Sequence, residues 1–346
     1  MSIENIKDEK LNYGLALLRI WMCFEVVCCH YWKGDISKIW NVLNYGRDLA
    51  VPCFMLMSFY FLAISVNKQN ADSLKHFTAK RLFKIALPQI GWTIIIWIFE
   101  NICSVFEPDR KQGIGNLIIQ LFTGHSYNTA MWFQIDLLVL TLLVIGIYWI
   151  TKNKNSRVII FCVLLLVAFF LEYSELLYEP ISYLRGEIRY PLGRLIEMIP
   201  YAMCGLILFE SNILNRINNK LILVGSIIYL LAFSIKHITF YFQPQGYNYQ
   251  GITLFCGALA AFLIFKNLPC DVLTNRIKRI VSVISGCTLG VYCMHISFGR
   301  CINYLLNLCG VTQNTLLECF VIFIVGISIS MLFINNRNRF IKGLFL

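Results

Sequence analysis

Long apolar stretches separated by short polar ones dominate the hydropathy pattern of the chain. A helix needs about 20 apolar residues to cross the hydrocarbon core of a bilayer. Ten stretches approach this length, at residues 13–32, 48–66, 86–106, 131–150, 158–177, 195–210, 221–240, 250–266, 282–303 and 315–334. The pattern predicts an all-α fold, a polytopic membrane helix bundle of about ten transmembrane helices. We expect a single integral membrane domain over residues 1–346, with the bundle at about 13–334 and short tails.

Two segments depart from the regular pattern. In the fifth predicted span only 158–171 is cleanly apolar, and Glu172 and Glu175 then have to face the bundle or the interface. The stretch 114–122 is apolar but too short to span, so it predicts an interfacial helix.

Composition excludes the other broad classes of protein. Of 346 residues, 58% are hydrophobic and 14% are charged, whereas soluble domains carry about 25% charged residues. Disordered chains are poor in apolar residues and are excluded too. The 14 cysteines form no C-x-x-C pair, which favours free thiols inside helices over a disulfide framework or a metal site, and no metal is expected.

The basic residues predict an orientation in the membrane. With a cytoplasmic N-terminus, nineteen Lys and Arg residues fall in inside segments, nine fall in outside segments, and Arg19 and Arg300 fall within spans. The positive-inside rule therefore favours two cytoplasmic termini in a multi-pass protein of the cell (inner) membrane. The net charge of +11 is then largely a topological signal and does not indicate nucleic acid.

The first span carries two ionisable groups on one face. Arg19 and His30 are 11 residues apart, which is within about 20° of three full helical turns and about 16 Å along the axis. Such groups at membrane depth are costly and often line a wet passage. The alternative is that Arg19 reaches the inner headgroups and His30 sits in the outer interface.

Arg19-x10-His30 resembles the signature of the acyltransferase-3 family, integral membrane acyltransferases that modify cell-surface glycans and other acceptors. Further motifs follow in the same order. The segment 46–62, which contains Ser58, resembles the second span of the family, although Phe59 replaces its usual glycine. Residues 80–88 resemble the Arg-x-x-Arg–Pro stretch of the third span, with Lys84 in place of the second arginine.

Two later motifs extend the resemblance towards the C-terminus. Met131-Trp132-Phe133 is similar to the Leu-Trp-Phe start of a middle span. Tyr292-Cys-Met-His295 is similar to Tyr-Leu-x-His-Pro near the end, with Ile296 in place of proline. The resemblance covers about residues 13–334 and implies an acyl-CoA donor, usually acetyl-CoA, and a hydroxyl acceptor on an envelope or exported polysaccharide or glycolipid.

The cytoplasmic stretch before the third span offers a site for the phosphates of CoA. Arg81 supplies a bidentate phosphate fork and Lys84 a point charge. At i and i+3 they share a helix face, and Lys80 adds to the patch. The alternative is a positive-inside anchor without a ligand.

His30 is the candidate general base, since an imidazole titrates near working pH. Arg19 would guide the donor or hold the structure around the passage. Ser58, Trp132 and His295 are candidate substrate-binding residues. Each also has a structural alternative: a hydroxyl bonded to its own helix, an interface anchor and a hydrogen bond within the bundle.

Other many-spanned classes remain as alternatives at this point. A membrane transporter or flippase for a glycan or lipid-linked precursor often shows inverted repeats, and no such internal symmetry is visible. A glycan polymerase or ligase is expected to have a large outer loop, and the longest predicted one, 107–130, has about 24 residues. An outer cluster of Arg185, Arg189 and Arg194 suits an anionic or sugar acceptor, or a solvated loop equally well.

Overall fold

The computed structural model describes residues 12–31, 46–105, 107–124, 131–173, 192–216, 219–240, 251–310, 316–334 and 338–345. These residues fold almost entirely into helices, and none of them lies in a β-strand. The all-α prediction is confirmed. The end of the fifth predicted span and the outer arginines Arg185 and Arg189 lie outside the described residues.

Thirteen α-helices are described, most of them long enough to cross or nearly cross a bilayer. In chain order they are α1 Tyr13–Tyr31, α2 Gly46–Asn67, α3 Ala71–Cys103, α4 Ile114–Thr123, α5 Trp132–Ile150, α6 Lys154–Tyr173, α7 Leu192–Glu210, α8 Ile213–Arg216, α9 Asn219–Phe240, α10 Ile252–Lys266, α11 Asn275–Leu308, α12 Leu316–Ile334 and α13 Arg339–Phe345. Each of the ten predicted spans falls on one of these helices, and the predicted interfacial segment is α4.

Seven of the described helices are long and apolar enough to span a membrane, by length and composition. They are α1, α2, α3, α5, α6, α11 and α12. α9 and α10 contribute shorter apolar stretches. The chain is therefore an integral membrane protein.

α3 and α11 are much longer than hydropathy predicted. They have 33 and 34 residues, or about 50 Å at 1.5 Å per residue, against a hydrocarbon core of about 30 Å. The predicted starts at 86 and 282 mark only where the apolar part begins. The polar turns before them stay helical because both helices are capped: Asn70 and Ser73 form a capping box, and Thr274 accepts from Ile277 N–H.

α1 packs against four other helices, α2, α10, α11 and α12. Close backbone approaches make this packing possible. A Cβ at Gly14 would lie 1.8 Å from the carbonyl oxygen of Phe265 on α10. Between α2 and α7, a Cβ at Gly205 would lie 2.4 Å from the carbonyl oxygen of Leu56. Small residues serve this purpose at many helix interfaces in membranes.

A buried carboxylate ties four helix ends together at the predicted cytoplasmic side. Glu210, at the end of α7, accepts hydrogen bonds of 2.6 Å from Tyr148 Oη on α5 and 2.6 Å from Asn67 Nδ2 on α2. Arg157, in the first turn of α6, places Nη2 3.1 Å from its Oε2. These are the ends that alternating spans bring to one face of the bundle.

Candidate active site

Two histidines meet inside the bundle. His30 lies in the last turn of α1 and His295 in the middle of α11, with ring centroids 5.0 Å apart and ring planes inclined by 56°. His30 is half-buried, while His295 is 1% exposed. The structure thus joins two sequence-predicted site residues that are 265 positions apart.

The hydrogen bond of His295 fixes the chemical character of its ring. Nδ1 lies 2.6 Å from the carbonyl oxygen of Tyr292. A carbonyl oxygen can only accept, so Nδ1 carries the hydrogen and donates it. In the neutral ring Nε2 is then a hydrogen-bond acceptor, and no partner for it exists among the described residues.

The contact between α1 and α11 positions the pair. Tyr31, the neighbour of His30, donates its hydroxyl to the carbonyl oxygen of Ile296, the neighbour of His295, at 2.6 Å. Gly299 makes room, because a Cβ there would lie 2.5 Å from Tyr31 Oη. Neither Tyr31 nor Gly299 was predicted as a site residue, and an isolated glycine inside an apolar helix is the one sequence signal of this contact.

Aromatic rings connect His295 to two further helices. Tyr292 lies 5.9 Å from the His295 ring, Phe133 on α5 lies 5.8 Å from Tyr292, and Phe54 on α2 lies 6.4 Å from Phe133. Tyr292 and Phe133 belong to motifs recognised in the sequence, but neither had been given a role. They form an apolar boundary beside the imidazoles.

The remaining predicted substrate residues lie around this aromatic group. Trp132 is buried beneath the guanidinium of Arg194, which lies 4.7 Å from its ring centroid, so the indole packs inside the bundle. Its neighbour Phe133 reaches towards Tyr292. Ser58 is half-buried on α2, one turn after Phe54.

The predicted donor residues gather at the opposite end of α1. Arg19 is exposed although α1 packs against four helices, and it lies near enough to Arg81 on α3 for the two guanidinium groups to repel each other. Lys84 interacts in the same way with Arg81 and Lys80. We call Arg19, Lys80, Arg81 and Lys84 the basic cluster.

The basic cluster has unused hydrogen-bonding capacity. Arg81 is half-buried, and its Nε has no hydrogen-bond partner within the described part of the chain. Lys80 and Lys84 are exposed. No ion pair among the described residues joins a carboxylate to these four cations, so the cluster concentrates positive potential, which attracts an anion.

Near the C-terminal ends of α3 and α11, by contrast, charges are balanced. The fully buried carboxylate of Glu100 lies 3.8 Å from Arg110 Nη1 and 3.9 Å from Arg300 Nη1. Burial lowers the pKa of Arg110, but its 2.6 Å hydrogen bond to Glu107 and the nearby carboxylates outweigh burial and leave that pKa raised. This pairing contrasts with the uncompensated basic cluster.

A protein-family model described as an acyltransferase domain matches residues 12–335. The chain belongs to the acyltransferase-3 family. No curated protein and no solved structure matches it. The family predicted from the motifs is confirmed, and the match supports a membrane acyltransferase and gives no support to a transporter.

The motif residues of this acyltransferase converge from five helices. α1 contributes His30 and Arg19, α3 contributes Arg81, and α11 contributes His295. α2 and α5 supply the aromatic boundary through Phe54 and Phe133. The histidine pair and the basic cluster are thereby held at the two ends of one helical stretch, about 16 Å apart along α1.

Proposed function

We propose that this acyltransferase moves an acetyl group from cytoplasmic acetyl-CoA to a hydroxyl of an envelope or exported polysaccharide or glycolipid. In this proposal the protein lies in the cell (inner) membrane with both termini in the cytoplasm. The observation that carries it is the arrangement along α1, where an uncompensated basic cluster is followed about 16 Å later by a pair of histidines.

The basic cluster is the proposed site for the phosphates of the donor. Arg81 offers a planar fork that matches phosphate oxygens, and Lys80 and Lys84 add point charges. Arg19 lies closest to the membrane-embedded part of α1 and guides the thioester arm towards His30. The nucleotide end of the donor stays in water.

His30 acts as the general base in this scheme. It removes the proton of the acceptor hydroxyl, whose oxygen attacks the thioester carbonyl carbon, and the C–S bond breaks as the new C–O bond forms. The proton on the imidazole passes to the departing thiolate, giving the CoA thiol. His295 is a positioning residue in this scheme, because its ring packs against the ring of His30 with centroids 5.0 Å apart.

Ser58 and Trp132 line the proposed path of the acceptor. Ser58 can donate or accept a hydrogen bond on α2, and Trp132 supports Phe133 and the aromatic boundary. His295 closes the same space from α11. The acceptor therefore approaches from the outer half of the bundle, and the donor approaches from the basic cluster.

Release of CoA thiol tests the proposed base. The purified full-length protein is given acetyl-CoA and membrane glycolipid extract as acceptor, and thiol is measured over time. His30→Ala is expected to lose about 100-fold or more of the turnover while acetyl-CoA binding is retained. His76→Ala, an exposed histidine on α3, is the control and keeps full activity. Full activity in His30→Ala would overturn the assignment of the base.

The donor site has its own test. Arg81→Ala and Lys84→Ala are expected to raise the KM for acetyl-CoA by about tenfold or more each, the size of a lost charge-assisted hydrogen bond. Lys75→Ala removes an exposed charge from the same helix, outside the basic cluster, and leaves KM unchanged. If the KM for acetyl-CoA in all three variants equalled that of the wild type, the cluster would serve only as a topological anchor.

A further inference from the structure

A cavity lies between α11 and α12 beside the histidine pair. Its volume is about 210 Å³, including the part that opens outward. His295 is the one ionisable residue on its wall, and the other lining residues are apolar or glycine, among them Val291, Met294, Ile322 and Gly326. None of the functions described so far uses this space.

The enclosed part of the cavity is small. It has room for little more than one water-sized group. Polar cavities of that size hold water, which needs two to four polar partners, whereas this wall offers the single imidazole. A methyl group is a better occupant than a water molecule, because it needs no hydrogen bonds.

The geometry of acyl transfer places an apolar group next to the imidazoles. A general base lies about 2.6–3.2 Å from the hydroxyl it deprotonates, and that oxygen lies about 3–3.5 Å from the carbonyl carbon it attacks. The first carbon of the alkyl part is bonded directly to that carbonyl carbon. The cavity adjoins the proposed reaction centre, because its wall includes His295, whose ring centroid lies 5.0 Å from that of His30.

We propose that this cavity holds the alkyl part of the donor acyl group and limits the enzyme to short chains, with acetyl preferred. The inference rests on the proposed function, because it needs a CoA thioester as donor. Gly326 sets one limit of the space: a Cβ there would lie 3.2 Å and 3.4 Å from the two γ-carbons of Val291. Ile322 sets another, since its side chain is 2% exposed and lines the cavity.

The test compares acetyl-, propionyl- and butyryl-CoA on the full-length protein, by binding and by release of CoA thiol. The wild type is expected to prefer acetyl-CoA over butyryl-CoA. Ile322→Ala enlarges the cavity and should shift this preference towards butyryl-CoA by about tenfold or more, the effect of one or two methylenes in an apolar pocket. Ile324→Ala is the matched control, because Ile324 lies on the same helix, is 57% exposed and does not line the cavity.

A second variant guards against a folding defect in Ile322→Ala. Gly326→Ala narrows the cavity and should lower the turnover of propionyl-CoA more than that of acetyl-CoA, with binding of free CoA unchanged. Chain-length preferences that are identical in the wild type and both cavity variants would overturn this inference and leave the donor site standing. Failure of the wild type to bind any of the three thioesters would instead overturn the proposed function, and the cavity assignment with it.

Discussion

At the scale of single residues, the contact of Tyr31 with Gly299 positions the neighbouring imidazole of His30, the proposed base. The tyrosine hydroxyl reaches the backbone of α11 at Ile296, and the missing side chain at position 299 is what lets it do so. Positions of this kind matter because displacing a catalytic group by about 1 Å can cost about 100-fold in rate.

We therefore expect Gly299→Ala to lower kcat by about 10- to 100-fold, because the added methyl displaces Tyr31 and with it His30. Acetyl-CoA binding should be retained, since the basic cluster is at the other end of α1. Gly286→Ala on the same helix is the control, as nothing lies within 4 Å of a Cβ there. Equal losses of kcat in the two variants would contradict the positioning role.

His295→Ala tests the second imidazole. We expect a partial loss of kcat, about 10- to 100-fold, with an unchanged KM for acetyl-CoA, because the ring orients His30 without touching the donor phosphates. His295→Asn keeps a hydrogen-bond acceptor and should restore part of the rate. Steady-state kinetics on both variants decide the matter, and an asparagine variant no better than the alanine variant would argue for a purely structural histidine.

These residues also show what the sequence can predict. The spacing of Arg19 and His30 follows from helix periodicity, and the motif at 292–295 picked out His295. The contact between His30 and His295, and the approach of Tyr31 to Gly299, join residues more than 260 positions apart. No local pattern encodes such a contact, because it depends on how α1 and α11 pack.

At the scale of elements, a salt-bridged network joins the ends of α2, α5, α6 and α7 at the predicted cytoplasmic side through Glu210. Arg157→Ala should lower the free energy of unfolding by about 3–5 kcal/mol, because it leaves a buried carboxylate without its countercharge. Thermal unfolding of the detergent-solubilised protein measures the effect. Lys152→Ala changes an exposed position in the preceding loop and should have the melting temperature of the wild type. If both variants had the same melting temperature, the network would not be a stabilising element.

α4 is an amphipathic helix whose apolar side faces away from the protein. Ile114, Ile118 and Phe122 are exposed on one side, while Gln120 is buried against the bundle. A helix of this kind lies in the membrane interface with its apolar face towards the acyl chains. The hydropathy pattern predicted this interfacial position for 114–122.

A spin label tests the placement of α4. A label at Ile118 should be more accessible to oxygen, which concentrates in lipid, and one at exposed Asn116 should be more accessible to a polar nickel relaxant. The two sites are compared in the protein reconstituted into vesicles. The same accessibility profile at both positions would mean that α4 stands free in water.

At the scale of the whole molecule, the proposed orientation places the basic cluster and both termini in the cytoplasm. A protease site inserted next to Asp271, between α10 and α11, should be cut only from the cytoplasmic side, and one next to Asp109, between α3 and α4, only from the outside. Sealed vesicles of known orientation give the answer. Cleavage of both insertions from the same side would refute the alternating topology.

The overall architecture was largely predictable, because lipid-facing helices must be long and apolar. The polar extensions of α3 and α11 were not, since hydropathy ignores turns stabilised by caps such as Asn70 and Thr274. The extension of α3 carries Lys80, Arg81 and Lys84 of the basic cluster. The cavity between α11 and α12 was not predictable from the sequence either, because its shape depends on the contact of Gly326 on α12 with Val291 on α11.

The ring packing around Tyr292, Phe133 and Phe54 bears on the ion permeability of the membrane. A reaction that takes one substrate from each side of a membrane could let ions leak across it, if a water-filled path connected the two substrate sites. Among the described residues, these aromatic rings and the buried His295 pack beside the imidazoles. In the proposed function an acyl group changes sides by changing its covalent partner, so its transfer needs no open water-filled path through the bundle.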